Sequence, residues 1–246
     1  MIFEAPRRGF ADGVDASAIR AVLFDLDGTL YRQTPLRALM AAELALEGIR
    51  MCSPSRVSRL ARIIDTFRSV REELRGAGEP RDGLLGALQF TCTADRLGIR
   101  EDEVRDAVEE WMMRRPLKHL RRLVPRELTA LLDTLEMRRL RLGVLSDYPA
   151  ASKLEAMRIR ERFSLALSTA DPSINAFKPH PKGFLRACDL WGVTPQEVLY
   201  VGDRPEIDGV GAAAAGMRFF LVSRRRPNGR RRTSGSLVDL QRALGL

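Results

Sequence analysis

Apolar positions along the chain follow two rhythms. Five short runs are apolar without alternation: AVLFDLDG (21–28), LRLGVLSD (140–147), LALSTA (165–170), VLYVGD (198–203) and RFFLVSR (218–224). Such runs, bounded by Gly, Asp or Pro, read as strands buried on both faces. Helical segments separate the last four, at 150–162, 181–192 and 206–216. Strands alternating with helices predict an α/β fold with a parallel sheet. The stretch 34–116 has the other rhythm. Val57, Leu60, Ile64, Phe67 and Leu74 recur at helical spacing, as do Val104, Val108, Trp111 and Met112. Further helices are expected at 35–48 and 83–97, with GAGEP (76–80) as a breaker. Pro125 opens a helix over 126–139 whose Leu128, Leu131, Leu132 and Leu135 lead back to the sheet, and Ser236 with Asp239 signals a capping-box helix near the C-terminus. The expected organisation is an N-terminal extension (1–20), an α/β core (21–33 and 117–246), and an all-helical domain (34–116) inserted after the first strand.

Composition narrows the class. The 246 residues are 45% hydrophobic and 30% charged, as in an ordinary globular chain with room for a sizeable core. The net charge of +9 raises the question of nucleic acid. Most arginines, however, sit beside Glu and Asp in helical stretches, as in EELR and REDEVRD, the pattern of solvated faces with local ion pairs. The dense cluster RRRPNGRRR (224–232) contains Pro and Gly and reads as an exposed loop, so no nucleic-acid partner is expected. No apolar run approaches the roughly 18 residues of a membrane span, and MIFEAPRRGFADG lacks the apolar centre of a signal peptide. Cys52, Cys92 and Cys188 are scattered and odd in number, which fits reduced thiols in a cytoplasmic protein. No lysine follows a glycine, so a P-loop is excluded.

Three of the five runs end in aspartate: Asp25 and Asp27, then Asp147, then Asp203. Open α/β sheets bind ligands at the carboxyl ends of their strands, where these acids should meet. Four signals follow one another: DLDGT, Ser146 in LSDYP, Lys178 in FKPHPKGF, and GDRPEID. In this order and spacing they resemble the haloacid dehalogenase (HAD) superfamily, dominated by magnesium-dependent phosphatases. The resemblance covers residues 20–33 and 126–223. It implies a Rossmann-like core, and it gives the helical insert the position of the family's cap domain.

The resemblance also implies roles that phosphoryl-transfer chemistry makes intelligible. Asp25 is the expected nucleophile, forming an aspartyl-phosphate, and Asp27 the acid and then the base. Gly28 gives a tight turn that brings backbone N–H groups to phosphate, and Thr29 secures it. Ser146 and Lys178 bind phosphate oxygens, and Asp147 adds a negative charge beside them. Mg²⁺ is expected on Asp25, the backbone carbonyl of Asp27, and Asp203. Asp208 is expected to orient Lys178 or a metal-bound water. The implied activity is hydrolysis of a small-molecule phosphate ester by a monomer or homodimer. Crowding of Asp25 and Asp27 is expected to keep a proton available on Asp27.

Rival readings exist. A phosphomutase shares every residue of the set, whereas a 2-haloacid dehalogenase needs neither metal nor Asp27 and Asp203. A phospho-accepting switch would lack the inserted helices. Taken alone, each acid is a cap or turn residue, and Trp111, Met112 and Met113 read as core. His180 reads as a capping or exposed residue, while His119 falls in the interdomain connection with no partner evident. Arg114, Arg115 and Lys118 read as a charged hinge, and Arg204 as a group near the metal or a further phosphate.

Overall fold

The computed structural model describes residues 16–50, 52–78, 83–222 and 235–245. Five strands form one sheet in the order β3-β2-β1-β4-β5: β1 (Ala21–Phe24), β2 (Arg141–Ser146), β3 (Leu165–Ser168), β4 (Val198–Gly202) and β5 (Arg218–Leu221). All four pairings are parallel. The order reverses between β1 and β4, the position where open α/β sheets leave a crevice. Phe24 is in register with Val201, which brings the loops carrying Asp25 and Asp203 side by side over that crevice.

Between β1 and β2 the chain passes through α1 (Gln33–Arg50), α2 (Pro54–Ala77), α3 (Leu85–Leu97), α4 (Glu101–Val108), a π-helical turn (Glu109–Arg114), α5 (Leu117–Leu123) and α6 (Arg126–Met137). Four further helices complete the described fold: α7 (Ala151–Ala156) after β2, α8 (Lys182–Trp191), α9 (Val210–Ala214) and α10 (Leu237–Ala243). Strand alternation divides the core in two. Val22, Phe24, Leu142 and Val144 join α5, α6, α7 and α10 on one face, while Ala21, Leu23, Val198 and Tyr200 join α8 and α9 on the other. A third cluster belongs to the insert, where Ile63, Phe67, Ala94, Val104, Ala107 and Val108 pack together.

Several expected elements differ in detail. The apolar runs overshoot the strands because their last residues leave the ladder to form the site. The segment expected as one helix over 150–162 breaks after Ala156, since Arg158 adopts φ +60 and a 3-10 turn (Arg160–Arg162) follows. The segment 206–216 opens as a π-helical turn (Pro205–Gly209) before α9. Residues 117–123 are a helix rather than a bare connection: Leu117, Leu120 and Leu123 share a face, and Leu120 is fully buried. His119 has a partner as well, with Nε2 2.5 Å from Glu43 Oε1. The C-terminal capping box forms as expected, with the Ser236 hydroxyl accepting from Asp239 N. Residues 1–15 of the extension and the cluster 224–232 lie outside the described residues. No described helix is long and apolar enough to cross a membrane.

Candidate active site

Asp25 leaves β1 with its backbone N–H still bonded to Val201 O, so the strand itself aims its carboxylate into the crevice. Oδ1 accepts from Lys178 Nζ at 2.7 Å and Oδ2 from Thr29 Oγ1 at 3.1 Å. The Lys178 ammonium, 3% exposed, also donates to Asp208 Oδ1 at 2.8 Å and to Tyr200 OH at 3.1 Å. Asp208 is held in turn by the Arg204 backbone N–H at 3.0 Å. Gly202 provides the space for it, since a Cβ there would stand 2.4 Å from Asp208 Oδ2.

Oxygen atoms of Asp25, Asp203 and Asp208 lie within 4.8 Å of one another. Asp203 Oδ1 is buried with no hydrogen-bond partner among the described residues, a state that costs free energy unless something cationic or donating meets it. Gly28 makes this arrangement possible in two ways. Its φ of +103 suits glycine, and a Cβ would stand 2.2 Å from Asp203 Oδ2. Burial raises the Asp25 carboxyl well above the usual range. Lys178 opposes that push, and Asp208 and Asp203 add to it. Burial, reinforced by Asp208, pushes Asp203 up to about 6. Lys178 shifts upward despite burial because Asp208 and Asp25 surround it. With all three carboxylates ionised, one lysine leaves two negative charges over, the charge of one divalent cation. Hard carboxylate oxygens, one of them unpartnered, are a donor set that suits a hard divalent cation.

Asp27 stands apart from this cluster and corrects the expectation that crowding protonates it. Its Oδ1 accepts from Lys153 Nζ at 2.7 Å and from the Tyr31 hydroxyl. Against the upward push of burial, Lys153 first and Tyr31 next hold its carboxyl below the usual range.

Ser146 is buried at the end of β2, its Oγ accepting from Tyr148 N at 3.3 Å. Asp147, expected as a negative charge beside phosphate, is already matched. Its carboxylate accepts from Arg75 Nη2 at 2.8 Å and from Thr169 Oγ1 at 3.2 Å. Burial would raise it, but Lys178, Arg75 and Arg71 hold it low. Asp147 thus joins the core to α2. Arg75 also donates to Lys178 O. Arg71 donates to Asp147 O and to Gln89 Oε1 at 2.8 Å, between the rings of Tyr148 (3.8 Å) and Phe177 (4.3 Å). Arg204 turns from the acids to Glu206 at 3.1 Å and Glu72 at 3.5 Å. Arg114 and Arg115 pair with Glu110, and Lys118 with Glu43.

Sequence reasoning missed Lys153, Tyr31, Arg71 and Arg75. A signal existed for three of them. Lys153 is one of only four lysines in the chain. Arg71 and Arg75 fall four and eight residues after Phe67, on the apolar stripe where an arginine needs a buried acceptor.

The site opens into a cavity of about 770 Å³ that Asp25, Asp27, Asp203 and Lys178 line from the sheet and α1, α2 and the π-helical turn line from the insert. The carboxylates of Asp25 and Asp27 and the fixed Lys178 ammonium face this one cavity, a set able to supply a nucleophile, a proton carrier and a counter-charge. A family model for haloacid dehalogenase-like hydrolases matches residues 19–216, most of the chain, and the chain belongs to that family. Among curated relatives, the phosphoglycolate phosphatase of Escherichia coli O157:H7 is 27% identical over 214 residues, covering 79% of this chain and 78% of that protein. The glyceraldehyde 3-phosphate phosphatase of Methanopyrus kandleri is 27% identical over 209 residues, 84% of each chain. Among solved structures, a HAD phosphatase from Thermococcus onnurineus shares the fold at a TM-score of 0.60, with 23% identity over 92% of this chain and 98% of that one.

Proposed function

We propose that the protein is a Mg²⁺-dependent phosphatase that hydrolyses a small-molecule phosphomonoester through an aspartyl-phosphate on Asp25. The observation that carries the reading is the excess negative charge beside Asp25, with Asp203 Oδ1 buried and unpartnered. Dehalogenation would give neither Asp203 nor Asp27 a task. Asp25, Asp203 and the Asp27 carbonyl would hold Mg²⁺, which supplies positive charge to phosphate oxygens. Lys178 and the Ser146 hydroxyl bind further phosphate oxygens, with the turn at Gly28 and Thr29 keeping Asp25 in line. Asp25, as its carboxylate, attacks phosphorus; the phosphorus–oxygen bond to the leaving group breaks, and Asp27, having taken up a proton from solvent before the step, gives it to the ester oxygen and is left ionised. Asp27, ionised beside Lys153, then takes the proton from the water that cleaves the aspartyl-phosphate. Asp208 holds Lys178 between itself and Asp25. Residues 34–116 act as a cap, latched to the core through Arg71 and Arg75, and exclude water from the reacting atoms. The three free cysteines suit the cytoplasm.

Phosphate release from p-nitrophenyl phosphate tests this reading, with turnover expected in Mg²⁺ and none in EDTA. Metal binding has its own readout in thermal shift. Because Asp203 holds its proton up to about 6 without metal, Mg²⁺ must displace that proton below this value. The rise in Tm on adding Mg²⁺ is therefore full one pH unit above that value and fades below it. Without metal the sign is opposite: stability falls as pH rises from the ordinary carboxylate range through about 6. Turnover independent of metal, or a Mg²⁺ shift that grows toward acid, contradicts the assignment.

A further inference from the structure

The cavity over Asp25 divides by chemistry. Its floor, from the strand ends, is charged. Its walls, from the insert, are mixed: Met40 and Leu44 of α1, Ile64 of α2, and Trp111, Met112 and Met113 of the π-helical turn make an apolar stretch, with Arg37, Asp65, Arg68 and Glu72 beside it. Met40 and Leu44 are four residues apart and share one helix face. Met40, Leu44, Met112 and Met113 are only half-buried, so they carry apolar surface toward a concave space without being fully covered by protein. A volume of about 770 Å³ matches cavities that enclose drug-sized ligands of roughly 300–1,000 Å³, far more than a two- or three-carbon phosphate needs.

The cations near the floor are largely committed. Lys153 is paired with Asp27, Arg75 with Asp147, and Arg204 with Glu206, while Arg71 is spent on Gln89 and the Asp147 carbonyl. Arg37 lines the cavity with no hydrogen bond or ion pair among the described residues, but it is exposed on α1. A substrate carboxylate next to the phosphate therefore has no buried cation waiting for it. The alternative use of this space is burial of carbon, and polarisable, flexible methionines suit it because they conform to varied shapes.

We propose that the physiological substrate is a phosphomonoester whose organic part is an extended apolar group, of aryl or medium-chain alkyl type, lying against Met40, Leu44 and Met112. The proposal rests on the phosphatase reading and narrows it to a substrate class unlike the small hydrophilic esters named for the curated relatives. Two measurements on the Mg²⁺-loaded protein keep the two claims separate. The first is competition binding of n-alkylphosphonates from ethyl to octyl, which are not hydrolysed. Affinity should rise about fourfold for each added methylene, the effect of a fully buried CH₂. The second is phosphate release from the matching alkyl phosphates and from phosphoglycolate, with the same slope expected in kcat/KM, mainly through KM. Leu44→Asn should flatten both slopes. Leu46→Asn, on the exposed side of α1, should leave them unchanged.

Binding independent of chain length, or phosphoglycolate preferred to butyl phosphate, overturns the proposal and transfers the site's specificity to Arg37. Phosphonate affinity that climbs with length while no ester is hydrolysed supports the apolar site and overturns the phosphatase reading instead.

Discussion

Lys178→Met is expected to abolish activity and to cost about 3–5 kcal/mol of stability, as removal of one partner from a buried ion pair does. The reason is local. Lys178 is 3% exposed and its ammonium lies 2.7 Å from Asp25 and 2.8 Å from Asp208, itself 1% exposed. Methionine fills the volume but leaves both carboxylates buried without their cation. A fall in Tm of about 10 °C follows for a chain of this size. The pH dependence carries the sign of the effect. Without Lys178, which opposes the upward push of burial on Asp25, that carboxyl shifts further upward, so the variant regains stability as pH falls and Asp25 takes up a proton. Thermal melts across pH check this. A loss of less than about 1 kcal/mol with no recovery in acid would mean that Lys178 is not the counter-charge of the cluster.

Asp25→Asn is expected to behave in the opposite way in stability and similarly in activity. The amide is nearly isosteric, and its carbonyl still accepts from Lys178. Replacing the carboxylate relieves crowding with Asp203 and Asp208, which raise the Asp25 carboxyl after burial has done so. The metal-free variant should therefore melt at or above the wild-type temperature at neutral pH. Its kcat should fall by about 10⁴-fold or more, because an amide cannot form the covalent intermediate. The combination of retained fold and lost turnover separates a nucleophile from a structural acid. A drop in kcat below about 100-fold would leave Asp25 as an electrostatic bystander.

The sheet was legible because its strands are continuous apolar runs and because three of them stop in aspartate at the strand end. Parallel order and the meeting of Asp25 with Asp203 then follow from register. The insert's helices were legible from their stripes. Other features depended on contacts that pattern does not encode. Lys153 reaches Asp27 from 126 residues away, and that pairing holds the Asp27 carboxyl below its usual range. Arg75 meets Asp147 across 72 residues, so the charge expected beside phosphate is matched by a helix of the insert. Gly28 looked like a turn residue and also makes room for the Asp203 carboxylate, a close approach visible only in three dimensions. Helix α5 was missed because its three leucines lie among arginines, which made LKHLRRL read as a polar link. Met112 and Met113 were read as core. They do pack against the insert's cluster, but they also face the cavity, a double role that spacing alone cannot separate.

The central claim is that phosphorus passes through Asp25. The most direct test is an acid quench of the Mg²⁺-loaded protein during turnover of p-nitrophenyl phosphate, with peptide mapping by mass spectrometry. Asp27→Asn serves as the trap, since it removes the base that directs water to the intermediate. The account predicts one added phosphoryl group on the peptide that carries Asp25, accumulating in the trap and disappearing in Asp25→Asn. Phosphate found on another residue, or steady turnover with no covalent label in wild type or trap, would contradict it.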